Sequence, residues 1–165
     1  MKDVQEWLSG RLPDGWFDGP PEVVVDREEI VIVGHLAAPP SVEESGQSGA
    51  AELGRVGRFR EETRPARMQI AEEAESHFAR KVSWGASCGK TVVMFTNLSI
   101  PVMTRLRQAE RKVLDILVEG GVARSRSDAL AWCVRLVGRH EGDWIEELRA
   151  SLEAVRQARA NGPAA

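Results

Sequence analysis

Few residues in this sequence have the type and spacing that chemistry requires. The segment Gly85-Ala86-Ser87-Cys88-Gly89-Lys90-Thr91 comes nearest to a phosphate-binding loop, whose glycines let backbone N–H groups wrap a phosphate. That motif needs four residues between its glycines and a helix directly after it. Here three residues separate Gly85 from Gly89, and the β-branched run Val92-Val93-Met94-Phe95 follows. A hairpin turn accounts for the stretch better. His35, His77 and His140 stand in unrelated contexts without ligand spacing, which predicts no metal site and no catalytic imidazole. Cys133 lies in an apolar run and reads as a core residue, while Cys88, read as part of a turn, has no neighbour that would activate it. Arg58, Arg60, Arg64 and Arg67 make a cationic cluster, but Glu61 and Glu62 interrupt it, and it reads as a solvated surface. No cofactor is implied and an enzyme is not expected.

What remains is recognition chemistry, and the charge distribution locates it. The whole chain carries −3, a mild argument against a nucleic-acid ligand. Residues 1–99 hold 11 Lys/Arg against 16 Asp/Glu, residues 100–140 hold 8 against 4, and residues 141–165 hold 3 against 5. The single basic island therefore coincides with Ile100–His140, as a nucleic-acid face inside an acidic protein would.

That island has an ordered pattern. Ile100-Pro101-Val102-Met103-Thr104-Arg105-Leu106 predicts a short strand, with Val102, Thr104 and Leu106 on one face and Pro101, Met103 and Arg105 on the other. A helix over Arg107–Glu119 follows, stopped by Gly120-Gly121. Ser125 opens a second helix, with Asp128 three residues on in capping-box position. Ala129, Leu130, Trp132, Cys133, Val134, Leu136 and Val137 cover nearly every face of it. A helix so apolar must be buried on several sides, and a lone strand needs a partner. A second copy of the chain would supply both.

The run from Arg105 to Leu130, with its apolar spacing and the segment Arg124-Ser125-Arg126-Ser127-Asp128-Ala129-Leu130 at the entry to the second helix, resembles the ribbon–helix–helix family of the Arc and MetJ repressors. The resemblance covers about 40 residues, 100–140. It implies an intertwined homodimer, open to further oligomerisation, whose two-stranded ribbon enters the major groove of double-stranded DNA. It further implies base contacts from the outward strand residues Met103 and Arg105, with Pro101 at the margin. Phosphate contacts would come from the start of the second helix, at Arg124, Ser125, Arg126 and Ser127. Free N–H groups and the helix dipole favour an anion at such a position on independent grounds. The expected function is that of a transcriptional regulator or nucleoid-associated protein. The alternative is an adaptor or antitoxin-like module that keeps the dimer and lacks strong DNA specificity, favoured by the acidic total and the Pro/Met ribbon face.

These residues need a scaffold, and the rest of the chain predicts an α+β protein. Residues 1–38 read as one or two helical turns over residues 4–8, then a loop and a hairpin, with Val23-Val24-Val25 and Ile30-Val31-Ile32-Val33 as its strands and both faces covered. Trp16 and Phe17 sit in a Gly/Pro-rich ordered loop. Residues 39–57, rich in Pro, Ser, Gly, Glu and Ala, read as a flexible linker. Residues 58–98 read as a helix from about Pro65 to Arg80 plus a second hairpin, completing a β-β-α-β-β domain that would serve protein-partner binding, ligand sensing or further oligomerisation. In that helix Glu72, Glu73 and Glu75 form the solvated face. Residues 141–165 read as a third helix and a frayed tail. No run approaches the length of a membrane span, and the N-terminus lacks the basic start of a signal peptide, so a cytoplasmic protein is expected.

Overall fold

In a computed structural model the described residues are 2–38 and 49–161. They form an α+β protein of six helices and one four-stranded sheet. The chain divides into two compact units, Met1–Val102 and Met103–Ala165.

In the first unit, helix α1 (Lys2–Arg11) precedes strands β1 (Glu22–Val25) and β2 (Glu29–His35). Helices α2 (Gly49–Glu62) and α3 (Arg64–Phe78) then lead to β3 (Lys81–Cys88) and β4 (Thr91–Met94). The sheet order is β1-β2-β3-β4, antiparallel at both edges and parallel between β2 and β3. Both expected hairpins form. The first turns on Asp26, whose carboxylate accepts the Glu28 and Glu29 N–H groups at 2.9 and 2.7 Å and is held below its usual pKa by them. The second turns at Gly89-Lys90, where Gly89 adopts φ +57°, a left-handed conformation that glycine enters without strain.

Alternation along the strands builds one core layer. Ile30 and Ile32 of β2 stand in register with Val82 and Trp84 of β3. All four are buried against Val4 and Leu8 of α1 and Ile70 and Ala74 of α3. Leu36, Ala86 and Cys88 extend the layer beneath Val56 and Phe59 of α2. The opposite face is less covered: Val31 and Val33 are only half-buried, because the helices pack on one side of the sheet. The expectation of two covered faces thus holds for one. The aromatic loop is ordered as expected. Trp16 and Phe17 pack on both clusters, and the Asp18 N–H donates to the His35 carbonyl at 2.8 Å.

Several expectations need correction. Residues 49–57 are the start of α2, a helix and not a linker, so the order is β-β-α-α-β-β behind an N-terminal helix. The remaining linker residues, 39–48, lie outside the described residues. Gly49, Gly54 and Gly57 each weaken a helix, by about 1 kcal/mol relative to alanine, and so concealed it. Burial of Val56 and Phe59 on one face offsets that cost. The face of α3 read as solvated is also engaged. Glu73 forms a two-point pair with Arg11 (2.5 and 2.8 Å), and Glu75 accepts from Lys81 Nζ at 2.6 Å and the Val82 N–H at 3.1 Å. The phosphate-loop look-alike is strand from Gly85 to Cys88, and Cys88 is buried in the sheet rather than placed in a turn. Burial, reinforced by the Glu52 carboxylate, pushes its thiol pKa up, away from reactivity.

The second unit consists of α4 (Gln108–Glu119), α5 (Arg126–His140) and α6 (Gly142–Ala160). All three helices fall where the sequence places them. Leu114, Ala123 and Ala129 form its buried centre, with Leu106, Leu117, Val118, Leu130 and Cys133 half-buried around them. Of the expected tail, residues 162–165 lie outside the described residues.

Two glycines make the packing testable by thermal denaturation. Gly57 is exposed in α2, with open space where a Cβ would stand; Gly57→Ala is expected to stabilise the protein by about 0.5–1 kcal/mol. At Gly34 a Cβ would lie 1.9 Å from the Phe17 ring, so Gly34→Ala should destabilise by about 1–3 kcal/mol through overpacking. A neutral result at both positions would show that α2 and the aromatic loop are not packed as described.

Candidate nucleic-acid interface

The expected ribbon, Ile100–Leu106, is neither helix nor paired strand in the single chain. Its backbone has no second strand to bond, so the assignment of a strand is not met within one copy. Met103 is 97 % exposed and Val102 84 %, and Pro101, Thr104 and Arg105 are exposed as well. Only Leu106 reaches the cluster around Leu114. Arg107 then enters α4 in an extended conformation, its N–H donating to Glu110 Oε2 at 2.5 Å, and Arg111 Nη1 holds the Leu106 carbonyl at 2.6 Å. Met103 and Arg105 therefore sit directly ahead of a well-anchored helix start.

The proposed phosphate contacts converge at the beginning of α5. Ser125 is its N-cap, as the spacing predicts, and its Oγ accepts the Asp128 N–H at 3.2 Å. The Asp128 carboxylate in turn accepts the Arg124 N–H at 3.0 Å. It also stands 3.9 Å from the Arg124 guanidinium and 4.0 Å from that of Arg135. Ser127 is exposed. The four residues are thus neighbours at one helix terminus, but they are not equally free. Arg126 forms a two-point ion pair with Asp115 of α4, at 2.6 and 2.9 Å, which holds the Asp115 pKa below its usual value. A phosphate would have to compete with that carboxylate. No short-range signal in the sequence links two residues eleven apart in different helices, so Asp115 was missed. Among the described residues, no cluster of His, Cys, Asp and Glu could hold a metal ion.

Apolar surface is the other feature of this unit. Within one chain α5 buries only Ala129, leaving Val134 66 % and Val137 50 % exposed, and on α4 Val113 and Ile116 are also more than half exposed. Along α6, Ile145, Leu148, Leu152 and Val155 form the expected stripe, and all are exposed. The burial that the sequence demands of α5 is not satisfied by the single chain.

The Arg126–Asp115 pair has a pH signature. Because the folded pKa of Asp115 is depressed, its contribution is present above the ordinary carboxylate value and fades as pH falls through the folded one. Asp115→Asn should lower the melting temperature slightly at neutral pH, the pair being solvent-exposed. The difference from wild type should begin to shrink only as pH falls below about 4 and vanish below the depressed folded pKa. A pH-independent difference would mean that the two helices are not joined by this charge pair.

Residues 2–94 match the family described as "Rv1265-like protein, N-terminal domain", and residues 107–159 match the "Mb1296 C-terminal domain". The chain is similar to the uncharacterized protein Mb1296 of Mycobacterium bovis and to the uncharacterized protein Rv1265 of Mycobacterium tuberculosis. Each is 57 % identical over 158 residues, covering 96 % of this chain and 69 % of the relative. No solved structure matches. With more than half of its length matched by the N-terminal family and both units accounted for, the chain belongs to the Rv1265-like proteins.

Proposed function

We propose that the protein is a homodimer that binds double-stranded DNA through a ribbon made from two copies of residues 100–106, as a transcriptional regulator or nucleoid-associated protein. The observation that carries this reading is the state of α4, α5 and the segment before them in a single chain. The helices expose Val113, Ile116, Val134 and Val137, while an unpaired segment lies in front of α4 in the one basic part of the sequence. Strand pairing between two copies would satisfy the open backbone, and helix packing would cover the apolar faces. In that arrangement Met103 and Arg105 face the groove, with Pro101 at the margin. Arg105 is the residue able to bind guanine bidentately, worth about 1–3 kcal/mol of discrimination. Ser125, Ser127 and Arg124 are placed to meet phosphate, and Arg126 joins them when released by Asp115.

A second reading is an adaptor or antitoxin-like module on the same dimer. Two features favour it: Arg126 is already neutralised by Asp115, and Val102 and Met103, ahead of Arg105, are apolar and exposed.

Sedimentation equilibrium and a DNA-binding salt series separate the two readings. Wild type is expected to be dimeric, with affinity for duplex DNA that falls as salt rises. Arg105→Ala should weaken binding about 5- to 100-fold, mostly at preferred sequences. Asp115→Asn should strengthen binding and steepen the salt dependence, because it frees Arg126. Dimers that bind no duplex DNA would favour the adaptor, and a monomer would sink both readings.

A further inference from the structure

Arg67 stands out because the fold buries it with no carboxylate partner among the described residues. It is only 6 % exposed, although the sequence places it in a cluster that reads as solvated. Its Nε donates to Thr63 Oγ1 at 2.9 Å and its Nη2 to the Arg60 carbonyl at 2.7 Å, and its guanidinium lies 4.7 Å from the centre of the Phe95 ring. All three partners are neutral. The Arg60 guanidinium approaches the same ring at 5.7 Å. Desolvation pushes the Arg67 pKa down, and the charges of Arg60 and Arg64 add to that effect against a smaller opposing influence of Glu61. A buried cation calls for a counter-charge, and among the described residues Arg67 forms no ion pair, while Arg60 and Arg64 add like charge beside Glu61.

These arginines form one wall of a cavity of about 440 Å³, within the size range of small-molecule sites. Met68, Ala71, Val82 and Trp84 make the wall apolar elsewhere. Trp84 is almost wholly buried, and its Nε1–H has no hydrogen-bond partner among the described residues. Of the carboxylates at the rim, Glu75 is occupied by Lys81 and the Val82 N–H, while Glu61 and Glu72 are exposed to solvent. The lining therefore holds three arginines and three glutamates, of which only Arg67 is buried, beside an apolar wall that includes Trp84.

We propose that this cavity binds a small organic anion, a monocarboxylate with an apolar body. The carboxylate would lie against Arg60, Arg64 and Arg67, and the body against Trp84 and Met68. A guanidinium fork matches a carboxylate in two-point geometry. Guanidinium pairs with phosphate as well, but inorganic phosphate lacks the apolar body that Met68, Ala71, Val82 and Trp84 would contact, and the helix start here has fewer free N–H groups to offer it. At the start of α3, Pro65 has no N–H, and that of Arg67 already donates to the Thr63 carbonyl at 2.9 Å.

The test is heteronuclear NMR of the full chain, following the indole N–H of Trp84, which Trp84→Phe identifies among the five tryptophans. Hydrocinnamate, its neutral amide and inorganic phosphate are the three probes. Hydrocinnamate is expected to shift the Trp84 signal saturably in the millimolar range or tighter, with the amide weaker at least several-fold and phosphate without effect. Arg64→Gln, at an exposed position, should weaken hydrocinnamate several-fold, and Arg67→Met should abolish binding. No movement of the Trp84 signal up to about 10 mM hydrocinnamate, or an equal response to the amide, overturns the proposal. So does a response to phosphate alone. Should Arg67→Met fail to fold, Arg64→Gln decides, and unchanged affinity there is also a refutation.

Discussion

Parallel strands cannot be joined by a tight turn, and β2 and β3 run parallel over seven registered pairs, from Glu29–Lys81 to His35–Ser87. The chain must leave the sheet at the end of β2 and cross back to the opposite end, beside the start of β2, to enter β3, and α2 and α3 lie in that crossover. They land on the face that carries Ile30, Ile32, Val82 and Trp84, where Ile70 and Ala74 of α3 complete the core. The same constraint lets β1 and β4 join the sheet as simple hairpins on the outside. It also sets the junction at Thr63, where α2 ends and α3 begins. There the Thr63 hydroxyl donates to the Phe59 carbonyl at 2.6 Å and accepts from Arg67, which turns the Arg67 side chain inward toward Phe95. The cation-lined cavity is thus a by-product of how the crossover is made.

The two units differ in how far they satisfy themselves. The first buries a layer of β-branched and aromatic side chains between one sheet face and three helices. The second, as a single chain, buries only Leu114, Ala123 and Ala129. Its α6 is a helix of 19 residues with no buried side chain among the described ones, braced by exposed i,i+3 pairs such as Arg149–Glu146 and Arg156–Glu153. Isolated helices are marginal in water, and exposed ion pairs of this kind contribute little. The proposed dimer answers that physical deficit, independently of what the dimer binds.

Patterns local in sequence survive in the fold. The hairpin strands, the Ser125–Asp128 cap and the Gly120-Gly121 stop each depend on residues a few positions apart, and each is present. Helix α2 was not legible, because its three glycines and the Pro- and Ser-rich run ahead of it carry the composition of a linker. Its helicity comes from Val56 and Phe59 meeting a sheet built from residues on both sides of it. At the candidate interface the neighbourhood of Arg124, Ser125, Arg126 and Ser127 followed from the sequence, while the capture of Arg126 by Asp115 did not.

By itself the sequence determined the α+β class, the position of most helices and strands, and the confinement of excess positive charge to residues 100–140. These are properties of composition and short-range periodicity. Only the tertiary structure decided which charged groups are spent and which are left unanswered. Glu73 and Glu75, read as solvated, are ion-paired, Arg126 is held, and Arg67 is buried among arginines. The physical reason is that a charge's partner and its access to water depend on residues brought together across the fold, and their separation along the chain carries no trace of it.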